Sequence, residues 1–438
     1  MVSTSDTEAV ARRFTTRFLD ESFADAADLL TEDGRTAVVD SFPEEFRDEE
    51  MDAEDALEQY WWGLYGQYGP SNGIAAVTDD DDDEVTVRLE FEAGTETASV
   101  AVDDDAVTGF SFSPAYTRPA SVDESTFAER GVTVDAGDVT LDGVLAVPEG
   151  EGPFPAVVLV HGAGIHDPDG TAGNSKLLRD FAWGLASEGI ATLRYESRLA
   201  EHDVADEQFT LDTVVVDDAV AAVDELAAVD EVDGDAVLVA GHSQGGMAAP
   251  RITERHGNVA GVVNLDGSTD TTLTPDDVDI IRYEFEVDGD LDEEQEAQLE
   301  ADRETARRIA TGEFEDDETL WGRPGVWYRS LTEYDPAETA SDLGVPVFVA
   351  NTYRVDEEVQ PEVAAFLRGR FEAWQAVDLP DGSRVRLYEG LDHHFQAGFT
   401  PAHPLSLYFG GNVAVDVVSD LVGWIHGVCD LGSSSGRR

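Results

Sequence analysis

A glycine-flanked turn near the centre of the chain constrains the fold more strongly than any other feature. The apolar run AVLVAG leads into the pentapeptide Gly241-His242-Ser243-Gln244-Gly245, and the helical stretch GMAAPRITERH follows it. A strand that turns directly into a helix strains the residue at the turn and leaves room only for small flanking residues. The sequence therefore predicts a buried strand, a tight turn and a helix, with the Ser243 hydroxyl raised above the edge of a sheet.

Apolar runs and helical stretches alternate on both sides of this turn. The apolar runs are FPAVVLVHGAG, ATLRY, AVLVAG, VAGVVNLDG and VPVFVAN, and the helical stretches lie near 175–188, 213–228, 244–256 and 413–428. This alternation is typical of a mostly parallel sheet that helices cover on both faces. We therefore expect an α/β fold with a doubly wound, mostly parallel sheet over residues 126–430, which begins with an antiparallel strand pair.

The stretch 268–335 interrupts the alternation. It joins the acidic helical segment DLDEEQEAQLEADRETARRIATGEF to the aromatic segment LWGRPGVWYRSL, and it lies between two core strands. This position predicts a helical cap insertion, in which Trp321, Trp327 and Tyr328 supply an apolar lining for a pocket. The last residues, 431–438, are predicted to form a flexible tail.

The N-terminal segment has a different pattern, of helices followed by strands of period two. It predicts a small α+β domain over residues 1–115 and a linker at 116–125. The acidic run 78–84 is expected to be a solvated loop. A cluster of aromatic residues is expected to pack in the core of this domain: Tyr60, Trp61, Trp62, Tyr65 and Tyr68. In length and element order the segment resembles the cone-shaped α+β domain of the nuclear-transport-factor type.

The charge balance restricts the possible partners. Asp and Glu number 94 against 27 Lys and Arg, which gives a formal net charge of −67. Such a surface repels the phosphates of nucleic acids and anionic lipids, so we expect no nucleic-acid partner and no membrane partner. At molar salt the screening length falls to about 3 Å and the self-repulsion largely disappears. The composition therefore predicts a halophilic protein.

Cysteine usage and the first residues indicate a cytoplasmic location. The single Cys429 forms no internal disulfide. The start, MVSTSDTEAVARRF, lacks the basic leader and apolar stretch of a signal peptide. No apolar run approaches the ~18 residues of a membrane span.

The turn and one further loop contain the groups needed for nucleophilic catalysis. Ser243 stands where a nucleophile is presented at the start of a helix. The loop His161-Gly162-Ala163-Gly164 follows the strand AVVLV, where small residues let the backbone approach a substrate carbonyl. We predict an oxyanion hole formed by the backbone N–H groups of Ala163 and Gln244.

A serine nucleophile needs a base, because an unperturbed hydroxyl hardly ionises near neutral pH. The order nucleophile, acid, histidine points to a histidine C-terminal of Ser243. The segment VRLYEGLDHHF, a strand followed by a loop, offers His393 and His394.

The motifs together resemble the dienelactone-hydrolase-like serine esterases of the α/β-hydrolase superfamily. The resemblance covers residues 126–428 and rests on HGAGIHDPDGTAGNSKLLRDFAWGLASEGIATLRYESR, GHSQGG and YEGLDHHF. In those relatives the loop Y-x-G-L-[ND]-H-x-F carries the base, which implies His393 here and a packing position for His394. True dienelactone hydrolases use a cysteine nucleophile, so the presence of Ser243 means that their substrate is not carried over.

The acid of the triad has several candidates. In the relatives a Gly-x-x-Asp sequence follows the strand that corresponds to VPVFVAN, but that glycine is absent here. Asp356 matches if one residue is inserted, and it is our choice for the acid. Glu357 is the next candidate. Asp266, at the end of VVNLDG, is the third, because a minority of these folds place the acid there.

These residues predict a serine hydrolase that cleaves small-molecule carboxylic esters through a Ser-His-Asp triad and an acyl-enzyme. The apolar lining indicates small neutral or modestly apolar acyl esters. A serine peptidase or an acyl or thioester transferase is the alternative on the same fold, and a non-catalytic protein that binds a small ligand is the second alternative. We expect no cofactor and no metal, because the sequence holds no Cys/His cluster and no glycine-rich phosphate loop. The oligomeric state is not predicted.

Overall fold

The computed structural model describes residues 4–47, 50–81, 84–103 and 105–435. They divide into two compact units, each built from several segments of the chain. The first comprises Met1–Thr117, Ala172–Ser175 and Ala397–Gly411, and the second comprises Arg118–Thr171, Lys176–Gln396 and Asn412–Arg438. The first unit thus contains two short later segments besides the predicted range 1–115. The predicted tail 431–438 lies partly outside the described residues, and its first residues belong to the last helix, which ends at Ser435.

The first unit has helices followed by an antiparallel sheet. Its helices are α1 (Thr4–Leu19), α2 (Phe23–Ala27), α3 (Glu32–Ser41) and α4 (Ala53–Tyr68), with 3₁₀ turns at Glu44–Phe46 and Pro404–Phe409. Its strands, in sheet order, are β1 (Ser71–Asp81), β2 (Glu84–Phe91), β3 (Thr95–Asp103) and β4 (Ala106–Phe112). This α+β order is the one predicted from the sequence. The resemblance to the nuclear-transport-factor type stays a prediction.

The acidic run 78–84, expected to be a loop, lies largely within a hairpin. Residues 78–81 end β1, residue 84 begins β2, and residues 82 and 83 lie outside the described residues. The expectation of a loop was wrong because β1 and β2 stay paired to their ends, with Asp81 opposite Glu84. Acidic composition alone does not stop a strand from pairing with its neighbour.

Aromatic residues of α4 pack in the core of the first unit, as expected. Tyr60 is fully buried and its hydroxyl donates a hydrogen bond to the Ser41 carbonyl at 3.0 Å. The late 3₁₀ turn adds Leu405 and Phe409 to the same core. A Cβ placed on Gly63 would lie 2.9 Å from the Phe409 ring, so α4 approaches this turn closely.

The second unit is built on an eight-stranded sheet. In sheet order its strands are β16 (Arg384–Glu389), β15 (Val347–Tyr353), β12 (Gly261–Leu265), β11 (Val232–His242), β7 (Phe154–Val160), β10 (Ala191–Tyr195), β6 (Thr140–Pro148) and β5 (Phe127–Asp135). Neighbours from β16 to β10 pair in parallel, and β10–β6 and β6–β5 pair antiparallel. The predicted mostly parallel sheet, with an antiparallel pair at its start, is confirmed. The remaining strands are two-residue pieces: β8 (Thr171–Ala172), β9 (Ser175–Lys176), β13 (Thr319–Leu320) and β14 (Arg323–Pro324).

Helices cover both faces of this sheet. The helices of this unit are α5 (Leu177–Ser187), α6 (Asp217–Ala227), α7 (Gln244–His256), α8 (Arg282–Phe285), α9 (Glu293–Thr311), α10 (Gly325–Thr332), α11 (Pro336–Asp342), α12 (Pro361–Ala376) and α13 (Val415–Ser435), of which α8, α9 and α10 lie in the cap. Along β7, Val158 and Val160 join one buried cluster while Val157 and Leu159 join another. Because successive strand residues point to opposite faces, the two clusters are cores on either side of the sheet.

The predicted cap lies between β12 and β15. Helices α8, α9 and α10 and the short β13–β14 hairpin occupy residues 268–335. Within the described residues, none of the helices has both the length and the apolarity that crossing a bilayer requires.

Candidate active site

Ser243 occupies the strained turn that its flanking glycines predict. Strand β11 ends at His242, α7 begins at Gln244, and Ser243 between them has φ 54° and ψ −115°. A Cβ on Gly241 would lie 2.0 Å from the Gly245 carbonyl oxygen, and one on Gly245 would lie 2.4 Å from the His161 carbonyl oxygen. Only glycine fits at these two positions, so the local sequence dictates a turn that presents the Ser243 side chain at the helix N-terminus.

The loop after β7 lies against this turn. A Cβ on Gly162 would stand 3.4 Å from the Ser243 Cβ, and Ala163 and Gln244 line one cavity of about 230 Å³. His161 is buried, which lowers its pKa to about 4, so its neutral ring donates from Nδ1 to the Gly162 carbonyl at 2.9 Å. His166 Nε2 lies 2.7 Å from the Ala163 carbonyl oxygen. The two histidines therefore hold the loop in which the predicted oxyanion donor Ala163 lies.

Strand register brings Asp266 next to Ser243. His242, the last residue of β11, pairs with Leu265, the last residue of β12. The Ser243 N–H also donates to the Leu265 carbonyl at 2.8 Å. Ser243 and Asp266 therefore leave the sheet as neighbours, each with a positive φ that turns the chain out of its strand.

His393 completes the cluster. Its Nδ1 lies 2.6 Å from Asp266 Oδ2. Ser243, Asp266, Arg370 and His393 line one cavity of about 250 Å³. Because Asp266 engages Nδ1, the other ring nitrogen, Nε2, is the one left for chemistry in that cavity.

Asp266 is 1% exposed and is held by polar groups from neighbouring elements. The Thr352 N–H and hydroxyl donate to its carboxylate at 3.1 and 2.9 Å. Arg370 of α12 lies 3.3 Å from Oδ1 and also donates to the Asp266 carbonyl. Burial alone would raise the pKa of this carboxyl, but Arg370, His393 and the Thr352 N–H outweigh it and hold the pKa well below its usual range. Asp266 is therefore ionised at neutral pH.

The structure does not bring Asp356, our choice for the acid, to His393. The Asp356 carboxylate accepts the backbone N–H groups of Glu358 and Val359 at 3.0 and 3.1 Å, as a local turn cap. The second candidate, Glu357, is exposed and accepts hydrogen bonds from Tyr353 and Arg368. Both stand in the loop beyond β15, whereas Asp266 stands directly at the end of β12. We therefore replace Asp356 with Asp266 as the candidate acid.

Residues that the sequence did not single out fix the loop of the base. The buried Arg354 forms an ion pair with Asp392 at 2.9 Å, and Asp392 accepts the backbone N–H groups of His394 and Gln396. His242 Nε2 lies 2.8 Å from the His393 carbonyl oxygen. The sequence signal for this arrangement was the Asp directly before His393, which we did not connect to an arginine in the loop after β15.

The second histidine of the loop, His394, has a different setting. Burial lowers its pKa to about 4 and its ring lies 5.4 Å from that of His242. Within the described residues, no hydrogen bond joins its ring to a carboxylate. This setting agrees with the packing position that the sequence implied.

The cap lines a larger, open cavity, of about 710 Å³, that Gln244 also lines. The three aromatic side chains predicted to line a pocket, Trp321, Trp327 and Tyr328, all border it. Within the described residues, no three His, Cys, Asp or Glu side chains are grouped so that they would hold a metal ion.

Several known proteins are similar to this chain. Residues 157–402 match the Alpha/beta hydrolase family. The chain is 30% identical over 345 residues to Esterase EstD of Thermotoga maritima, a match that covers 77% of this chain and 78% of the relative. Among solved structures, Est1E from Butyrivibrio proteoclasticus is 18% identical, with a TM-score of 0.41, over 68% of this chain and 99% of its own. The dienelactone hydrolase from Anabaena variabilis is 18% identical, with a TM-score of 0.39, over 69% of this chain and 98% of its own.

Proposed function

Because the chain belongs to the alpha/beta hydrolase family, we propose that it cleaves carboxylic esters with Ser243 as nucleophile, His393 as base and Asp266 as the acid that orients the base. One observation carries this proposal: His393 Nδ1 lies 2.6 Å from Asp266 Oδ2 in the cavity that Ser243 lines. The esterase relative supports the substrate class, since it matches more than three quarters of both chains.

The first half of the reaction transfers the acyl group to the enzyme. His393 Nε2 takes the proton of the Ser243 hydroxyl as the oxygen attacks the ester carbonyl. The carbonyl oxygen becomes an oxyanion, which the backbone N–H groups of Ala163 and Gln244 stabilise. The C–O bond to the alcohol then breaks, and the imidazolium of His393 gives its proton to the departing alcohol.

The second half releases the acid. A water molecule gives one proton to the now neutral His393 as its oxygen attacks the acyl carbonyl. The second tetrahedral intermediate collapses, the proton returns to the Ser243 oxygen, and the carboxylic acid leaves.

Asp266 contributes by staying ionised throughout. Its carboxylate accepts the Nδ1 hydrogen, which fixes the tautomer that leaves Nε2 free to accept a proton, and it stabilises the imidazolium that forms. The low pKa that Arg370 and Thr352 give to Asp266 keeps it in this state at any pH at which the neutral imidazole is present.

The test is hydrolysis of p-nitrophenyl esters from acetate to octanoate by the full chain. The wild type would be run beside Ser243→Ala and the control Ser268→Ala, which removes another hydroxyl from the same cavity. We expect kcat to fall by at least ~10⁴-fold in Ser243→Ala and to stay within about threefold in Ser268→Ala. Activity retained by a folded Ser243→Ala variant, or none in a folded wild type, would contradict the proposal.

We further propose that the protein is halophilic and cytoplasmic, on the basis of its net charge of −67. The assay therefore belongs in about 2 M KCl, where exposed charges are strongly screened. Circular dichroism across a salt series tests this part separately: full folding in dilute buffer would exclude it.

A further inference from the structure

The cap cavity contains carboxylates that the protein does not neutralise. Asp302 of α9 is 7% exposed and lines this cavity. Its carboxylate accepts a hydrogen bond from the Trp321 indole N–H at 2.7 Å, and Gln298 Nε2 stands 3.4 Å away. Both donors are neutral. Buried carboxylates are ordinarily paired with a cation or a metal, so this one is exceptional.

A second carboxylate lies in the same cavity. Glu284 of α8 is an exposed residue that lines the cavity, and within the described residues no hydrogen bond or ion pair reaches its carboxylate. Partial burial, and then the charge of Asp302, raise the pKa of Glu284. Among the described residues, no lysine or arginine lines the cavity, and Arg282 and Arg303, which lie on the same two helices, pair with Glu296 and Asp279.

The position of the cavity is an independent reason to expect a ligand there. Gln244, whose N–H is our oxyanion donor, lines it together with the cap residues. A substrate whose carbonyl meets Ser243 therefore has room to extend into it. The other acidic residues of α9 are not among those that line the cavity. Glu300, for example, is exposed and pairs with Arg303.

Aromatic faces accompany the two carboxylates. Trp321, Trp327 and Tyr328 line the cavity, and Trp321 is 37% exposed, an unusual setting for an indole. An ammonium group binds favourably over aromatic rings, and most strongly where water is excluded. Carboxylates beside aromatic rings therefore form a setting that suits a cation better than a neutral acyl chain.

We propose that the cap cavity binds a positively charged ammonium group of the substrate, so that the enzyme prefers esters whose acyl or alcohol part carries such a group. This inference rests on the proposed ester hydrolysis and names its substrate class. It departs from the neutral or modestly apolar esters that the aromatic composition of the cap indicated. The sequence alone does not predict this preference, because it contains 94 acidic residues and does not show which of them face the cavity.

Two matched pairs of esters test the inference on the full chain. Acetylcholine and neohexyl acetate differ by a positive charge in the alcohol part. The p-nitrophenyl esters of ε-aminocaproic acid and heptanoic acid differ by a charge in the acyl part. All rates are compared in about 2 M KCl, which screens the exposed surface so that a preference for the cation reports on the cavity.

In the wild type we expect the charged member of at least one pair to have a kcat/KM about tenfold higher. Glu284→Gln and Asp302→Asn should each reduce that preference about fivefold to tenfold, while the neutral ester stays within about threefold. Asp302→Asn keeps an oxygen that accepts the Trp321 N–H, and Glu284→Gln removes no hydrogen bond or ion pair within the described residues. Glu300→Gln, on the exposed face of α9, is the control and should leave the preference unchanged.

A binding measurement separates this inference from the proposed chemistry. Calorimetry with Ser243→Ala and choline should give binding that weakens in the double variants with Glu284→Gln or Asp302→Asn. Neutral esters cleaved without any preference for their charged partners would overturn the inference and leave the proposed function intact. Absence of all hydrolysis by a folded wild type would overturn both.

Discussion

Two buried aspartates in the catalytic unit have opposite surroundings. Asp266 is 1% exposed and Asp302 is 7% exposed, so neither is solvated. Asp266 meets the guanidinium of Arg370 and the imidazole of His393. Among the described residues, Asp302 meets only an indole and an amide.

This difference in surroundings distinguishes a carboxylate whose charge is balanced by the protein's own cations from one whose charge faces the substrate. A carboxylate surrounded by its own cations keeps a fixed orientation and a fixed ionisation, which suits the acid of a triad. A carboxylate left without a cation raises the energy of the empty site, and a cationic ligand lowers it again. The same residue type therefore takes two roles according to what stands around it.

The largest expected effect is on kcat, and it distinguishes Asp266 from Asp356 as the acid that orients His393. Asp266→Asn should lower kcat for p-nitrophenyl esters by about 10³–10⁴-fold, because Asn favours the wrong tautomer of His393. Asp356→Asn should stay within about twofold, since that carboxylate only caps a turn. Steady-state kinetics of the two variants checks this, and the reverse ranking would restore Asp356 as the acid.

The family and the strained turn at Ser243 were predictable because they depend on local sequence. The glycines around Ser243 dictate the turn by close contact, and the match over residues 157–402 confirms the predicted family. The contact between Asp266 and His393 was not predictable, because it depends on register between β11 and β12 and on a side chain from α12. Many carboxylates fit the sequence order, and only the fold selects the one at the end of β12.

In the first unit, too, local elements were predictable from the sequence and long-range contacts were not. Its helices and strands follow from local periodicity, but its core also takes Leu405 and Phe409 from a segment far along the chain. Nothing in the pattern of residues 397–411 indicates which unit they join, because burial there depends on tertiary contacts.

The second-largest expected effect is a difference in the free energy of unfolding between variants of Asp266 and Asp302. Asp266→Asn should lower the free energy of unfolding by about 3–5 kcal/mol, because it leaves Arg370 buried without its charge partner. Asp302→Asn should be neutral or slightly stabilising, since it removes a buried charge and keeps the acceptor for Trp321. Urea unfolding in molar KCl measures both. Equal losses in the two variants would show that the surroundings of the two carboxylates are equivalent.

The pH dependence of the free energy of unfolding should have one sign for the contribution of Asp266 and the opposite sign for that of Glu284. The pKa of Asp266 is lowered on folding, so its stabilisation is present above its unfolded value of about 3.9 and is lost as pH falls through the folded value. The pKa of Glu284 is raised on folding, so its contribution is present below about 4.3 and is lost as pH rises through the folded value.

Melting temperatures over an acidic to neutral series test these signs. Relative to the wild type, Asp266→Asn should become less stable as pH rises through the acidic range. Glu284→Gln should gain stability over the same rise, by a smaller amount because solvent reaches that side chain. Parallel curves for both variants would contradict the assignment.

The smallest expected effect is that of removing the Arg370 guanidinium, which makes the surroundings of Asp266 more like those of Asp302. Arg370→Met leaves Asp266 without its guanidinium partner, so the pKa of the Asp266 carboxyl should rise from its lowered value. The stability that the protein loses between neutral and acidic pH should therefore be smaller than in the wild type, as melting temperatures over the same pH series would measure. Arg368→Met, which removes an exposed arginine from the same helix, should leave that loss unchanged. An unchanged loss in Arg370→Met would show that this arginine does not set the ionisation of Asp266.

The most direct test is the rate at which a fluorophosphonate reacts with the protein, followed by identification of the modified residue by mass spectrometry. We expect a single adduct on Ser243, formed at least ~100-fold more slowly in Asp266→Asn and at the wild-type rate in Asp356→Asn. An adduct on another residue, or slowing by Asp356→Asn and not by Asp266→Asn, would contradict the central claim that Ser243 is activated by His393 and Asp266.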